Sequence, residues 1–146
     1  MCIRDSVGST DCAPGVVNAS GNPGTLRGVG SASLAANDLT LVAEDLPANV
    51  FGFVILSETA GNIRQPGTSI GTLCLGGAIG RDLQGLLNSG SSGSFARDVD
   101  WTSLAQPTGF VSASVGDVWR FQVWHRDILL GQPTSNYTNA LVVTVE

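Results

Sequence analysis

The stretch GDVWRFQVWHRD, residues 116–127, decides the fold. Gly116 and Asp117 supply a turn signal, and after them the residues alternate with a period of two, which is the period of a strand and not of a helix. Trp119, Phe121 and Val123 then share one face, and large apolar side chains at every second position mark that face as core. His125 falls on the same side near the strand end, where a satisfied hydrogen bond is expected rather than a catalytic base. Arg120, Gln122, Trp124 and Arg126 take the opposite face and form the candidate ligand or partner surface. An indole offers a flat apolar plate, and flanking guanidinium groups offer planar donors for hydroxyls or carboxylates. The structural alternative covers Trp124 with a loop, pairs Arg126 with Asp82 or Asp127, and stacks Arg120 on the ring.

Working outward, short apolar runs alternate with Gly, Pro, Asn and Asp punctuation. Strands are expected at 26–35, 39–43, 50–57, 72–79, 94–100, 111–113, 118–127 and 140–145. AAND, DLPAN, RQPGTS, NSGSSG, AQPTG and GQPTSN read as the turns between them, and RDLQGLLN has room for one helical turn around Gly85. In DLTLVAEDL, Leu39, Leu41 and Ala43 share a face opposite Thr40 and Glu44, the pattern of a half-buried strand. In VFGFVILSE, Phe51, Phe53 and Ile55 lie on one side while Val54 and Leu56 make the other apolar too, so this strand is central or covered. The last strand turns Leu141, Val143 and Val145 inward. Such faces bury one another when two sheets pack about 10 Å apart. The expected fold is therefore all-β, an antiparallel β-sandwich of about seven or eight strands, Ig-like or jelly-roll-like, with a barrel as the alternative.

Composition narrows the function classes. The 146 residues suit one domain of ordinary size. All seven basic residues are arginine and twelve are acidic, giving a net charge of −5. Nucleic acid is an unsuitable partner, because neutralising phosphates takes a basic stripe. No apolar run reaches the roughly 18 residues that span a bilayer as a helix.

The opening MCIRDS, residues 1–6, fits no element, and its back-translation resembles the mosaic end of a sequencing transposon. It is read as a non-native scar and set aside. Residues 7–146 are then a single domain, expected to be a fragment of a longer secreted protein whose signal peptide lay upstream. Removing Cys2 leaves Cys12 and Cys74, a pair that reads as one disulfide in an oxidising compartment, with two unrelated buried thiols as the alternative. Without C-x-x-C spacing and with His125 as the only histidine, no metal site or cofactor is expected.

Several motifs suggest chemistry. GTSIG, residues 67–71, matches the nucleophile elbow G-x-S-x-G, with Asp98, Asp100 and His125 following Ser69. The elbow requires a strand entering and a helix leaving, whereas here a loop enters and a strand leaves. LCLGGAIGRD lacks phosphate-loop spacing, so Gly76, Gly77 and Gly80 are read as permitting a bulge or a close backbone approach. Glu44/Asp45 and Asp98/Asp100 are carboxylate pairs without a third ligand, best read as solvated faces. Asn18 and Asn136 match the glycosylation sequon.

Three stretches, the segment from Cys12 through NASG, then LCLGGAIGRD, and then GDVWRFQVWHRD with PTSNYTNA, resemble together a β-sandwich module of uncharacterised role found in large secreted proteins of environmental bacteria, often near the C-terminus. The resemblance implies export, a bridge between Cys12 and Cys74, and an accessory role beside other domains of the same polypeptide. It supplies no catalytic residues. The expected function is a non-catalytic extracellular accessory domain for attachment, spacing or surface assembly, with extracellular glycan or protein as partner. A carbohydrate-binding module is the alternative, and a serine hydrolase through GTSIG is the third reading.

Overall fold

The computed structural model describes residues 7–146, so the hexapeptide read as a scar lies outside the described residues. The chain is all-β. In order, its strands are β1 (Ser9–Asp11), β2 (Thr25–Val29), β3 (Thr40–Glu44), β4 (Phe51–Ser57), β5 (Thr59–Arg64), β6 (Thr72–Gly76) and β7 (Gly80–Arg81). A single 3-10 turn, Leu83–Gly85, follows. Then come β8 (Leu87–Asn88), β9 (Phe95–Asp98), β10 (Leu104–Gln106), β11 (Gly109–Val111), β12 (Val118–Leu129), β13 (Gln132–Tyr137) and β14 (Ala140–Thr144).

The main sheet runs β1-β14-β12-β4-β7, with β13 also paired to β12 and β8 to β4, and every pairing is antiparallel. A second sheet, β2-β3-β9, lies across the core from it. Leu26, Leu41 and Ala43 from the second sheet and Val54, Leu56, Trp119, Phe121, Val123, Leu141 and Val143 from the main sheet form one buried cluster, so the arrangement is a sandwich. Trp101, in the loop after β9, closes the cluster edge-on to Phe121 with ring centroids 6.0 Å apart. The three strands whose alternation was clearest, β3, β12 and β14, all turn the expected side chains inward. Gly116, at φ 96°, and Asp117 form the turn before β12, where the Ser114 N–H donates to the Asp117 carboxylate at 2.8 Å.

Two smaller sheets trim this frame. The β5–β6 hairpin lies on the outer face of the main sheet, where the Ser57 hydroxyl donates to the Gly76 carbonyl at 2.6 Å. The Cys12–Cys74 disulfide, with Cα atoms 6.4 Å apart, ties β6 to the segment after β1. β10–β11 packs beside β7, where Gly80 runs so close to the Ala105 carbonyl that a Cβ would collide with it. Gly76 stands in the same relation to Ala60, so LCLGGAIGRD uses its glycines for backbone approach.

Several strand limits differ from the sequence reading, each for a local reason. The run 26–35 stops at Val29, because Gly30 at φ 103° turns against the Asp38 carbonyl. The run 72–79 stops at Gly76, since Gly77 is left-handed at φ 61°. GQPTSN was read as a turn, yet only Leu130 and Gly131 turn and the remainder is β13, paired with β12 through six residue pairs.

Candidate functional site

The outer face of the main sheet carries an aromatic row. Register places Trp124 directly opposite Phe53 on β4 and Tyr137 on β13, so three rings from three neighbouring strands share one face. The Phe53 and Trp124 rings stack with centroids 5.0 Å apart and planes inclined by 30°. Arg126, two residues along β12, places its guanidinium carbon 5.1 Å from the Trp124 ring centroid, within cation–π range. Phe51 extends the row and is 53% exposed, while Phe53, Trp124 and Tyr137 are partly buried. Arg81 stands opposite Ile55 at the other end of the same face and is exposed. Burial pushes the Tyr137 phenol above its usual range, and the nearby Arg81 charge pulls it partly back.

Two of the four residues read as an open surface do something else. Gln122 is fully buried. Its side-chain oxygen accepts the Cys74 N–H at 3.0 Å, and its amide nitrogen donates to the Thr72 and Thr138 carbonyls at 2.9 and 2.8 Å. It is the polar staple under the β5–β6 cover, and a buried amide with its hydrogen bonds made is a stable arrangement. Arg120 reaches the Glu58 carbonyl at 2.8 Å, so it holds the start of β5 and does not stack on Trp124. That stacking is done by Arg126, which pairs with neither suggested acid: Asp82 binds Arg97 at 2.7 Å, and Asp127 is buried. The candidate site is thus Phe51, Phe53, Trp124 and Tyr137 with Arg81 and Arg126. Phe51, Phe53, Tyr137 and Arg81 were not assigned to it from sequence, because register between distant strands has no local signal.

The residues that suggested catalysis are held in structural roles. Ser69 is 6% exposed; its hydroxyl donates to the Ser135 carbonyl at 2.9 Å and accepts the Gly71 N–H at 3.2 Å, closing a loop. The sequon residues are equally engaged, since Asn18 donates to the Asp45 carbonyl and Asn136 to the Val16 carbonyl and the Asp127 carboxylate. Asp98 accepts the Thr40 hydroxyl at 2.8 Å. The Thr102 hydroxyl and backbone N–H, with the Asn37 amide, hold the Asp100 carboxyl below its usual range. Among the described residues no three or more His, Cys, Asp and Glu are placed to hold a metal ion, and no helix is long and apolar enough to cross a membrane.

His125 is fully buried on the core side, where Nδ1 lies 2.8 Å from the Arg126 carbonyl and Nε2 has no partner among the described residues. Only half of the expected satisfaction is met. Burial holds its pKa below the usual value, while the Arg126 carbonyl and the Asp127 charge act in the opposite direction. An unfolded histidine titrates near pH ~6.5, so below that pH the unfolded chain binds the proton more readily than the folded one. Stability is therefore full above that range, falls as pH drops through the folded pKa, and levels off below it. Urea midpoints measured from pH 8 to 5 should show this loss, and His125→Asn should remove that component of the slope; parallel profiles would contradict it.

A concavity of about 170 Å³ opens at the sandwich edge. Leu41, Val54 and Phe121 form its floor, and the Arg97–Asp82 pair and the exposed Phe110 form its rim. Of its carboxylates, Asp82 is held by Arg97, Asp98 by the Thr40 hydroxyl, and Asp100 by Thr102 and Asn37.

Among known proteins, no family model matches the chain, and no curated protein or solved structure matches it either.

Proposed function

We propose that this chain is a non-catalytic, extracellular accessory domain that attaches other domains of its polypeptide to carbohydrate through the outer face of the main sheet. The observation that carries the reading is the aromatic row of Phe53, Trp124 and Tyr137, extended by the exposed Phe51. Aromatic rings clustered on one sheet face give a rigid apolar surface with polar tips at Tyr and Arg, which suits the C–H faces and hydroxyl rims of sugars. The disulfide favours an oxidising compartment, since such bonds persist outside the reducing cytosol. Ser69, whose hydroxyl a hydrolase would need free, is buried and donates to the Ser135 carbonyl, and His125 is fully buried on the core side, which favours attachment over turnover.

A glycan array read together with quenching of tryptophan fluorescence tests the reading. Binding should be found, and Trp124→Ala should weaken it by at least about tenfold, equivalent to about 1.4 kcal/mol. Phe51→Ala, at an exposed position that leaves the core intact, should weaken it as well. Absence of binding to any glycan, or a fluorophosphonate adduct on Ser69, would overturn the proposal.

A further inference from the structure

Two RD dipeptides, Arg81–Asp82 and Arg126–Asp127, border the aromatic row, and strand alternation splits both in the same sense. Each arginine faces outward and is exposed. Each aspartate faces the other way: Asp82 is held by Arg97 at 2.7 and 3.2 Å, and Asp127 accepts the Ala19 and Ile128 N–H groups and the Asn136 amide. The only ion pairs among the described residues are Arg97–Asp82 and Arg27–Glu44, so neither Arg81 nor Arg126 is neutralised by a described carboxylate. In a chain of net charge −5, two guanidinium groups without a paired acid thus stand on the one face that carries the rings. The strand positions between them are Ile55, Phe53, Phe51 and Trp124, and none is acidic.

Resting on the proposed function, we infer that the glycan recognised by this face is acidic, a polysaccharide bearing uronate carboxylates, with Arg81 and Arg126 as the residues that select the charge. A guanidinium meets a carboxylate through two parallel N–H donors, a geometry that a neutral hydroxyl rim does not reproduce. Strand spacing and rise put the two arginines roughly 15 Å apart along the sheet, so one ligand touching both is an oligosaccharide or polymer rather than a single sugar. The rings supply stacking that every pyranose shares, and the arginines add the preference. A neutral glycan loses only the second contribution.

Polygalacturonate and its fully methyl-esterified form have the same backbone and differ in charge, which makes them the probes. In affinity electrophoresis the wild-type domain should bind the free acid at least about tenfold more tightly than the ester. Raising salt from about 0.1 M to about 1 M shortens the screening length from about 10 Å to about 3 Å, and most of that preference should disappear. Arg81→Gln and Arg126→Gln should each reduce the preference, and the double variant should abolish it, binding acid and ester with equal affinity. Both positions are exposed, so the variants should fold; coincident urea unfolding curves verify it. Equal affinity for acid and ester, or a preference that survives the double variant, overturns the inference and leaves carbohydrate attachment standing. Failure to bind either polymer or any other glycan overturns both.

Discussion

Trp119→Ala should lower the unfolding free energy by about 3–5 kcal/mol, the loss typical of a large aromatic truncated inside a core. Trp119 is 1% exposed, sits opposite Val143 in the main sheet, and belongs to the cluster that joins both sheets. Phe121, its neighbour on the same face, carries the edge-on contact with Trp101, so a cavity at Trp119 opens beside that aromatic pair. The indole N–H has no partner among the described residues. Trp119→Phe therefore loses volume but no hydrogen bond and should cost clearly less than the alanine variant. Urea unfolding followed by far-ultraviolet circular dichroism measures both, and a loss under about 1 kcal/mol for Trp119→Ala, within the range of ordinary substitutions, would mean that the strand faces are inverted.

Removing the disulfide with the Cys12→Ala and Cys74→Ala pair should cost a similar amount. The bridge closes a sequence separation of 62 residues, and in the chain-entropy model a loop of that size contributes about 4 kcal/mol through the unfolded state. Alanine is the suitable replacement because Cys74 is 1% exposed, and a serine would bury a hydroxyl there. The loss should also reach the outer face, since Cys74 is the residue whose N–H holds Gln122 under the β5–β6 hairpin. Hydrogen exchange should accelerate first in β5 and β6. Unfolding midpoints that coincide for the bridged and the alanine protein would contradict this role.

Where one face of a strand is buried and the other is wet, its alternation could be read directly from the residues. Leu39 and Leu41 before and within β3, Trp119 and Phe121 in β12, and Leu141 and Val143 in β14 lie where that pattern puts them. The pairing of Cys12 with Cys74 was equally accessible once Cys2 was set aside. β5 escaped because its residues are mostly exposed and show no apolar alternation. β13 escaped because Pro133, Ser135 and Asn136 look like turn residues, although Ser135 and Asn136 are buried through hydrogen bonds to elements far away in sequence. Gln122 was misplaced for a related reason: alternation correctly assigned its face, but that face is covered at its middle by a hairpin that local pattern does not announce. The part of the outer face that stays uncovered is the end with Trp124 and Arg126, and its partners Phe53 and Tyr137 come from strand register alone.

Chemical-shift mapping on isotopically labelled protein tests the proposed attachment surface most directly. On titration with an oligogalacturonate, the amides of 51–53, 81, 124–126 and 137 should shift together, and the indole N–H of Trp124 should move most among the three tryptophans. Shifts confined to the sandwich-edge concavity, around Arg97 and Phe110, with the Trp124 resonances unmoved, would place the binding site elsewhere and contradict the role given to the outer face.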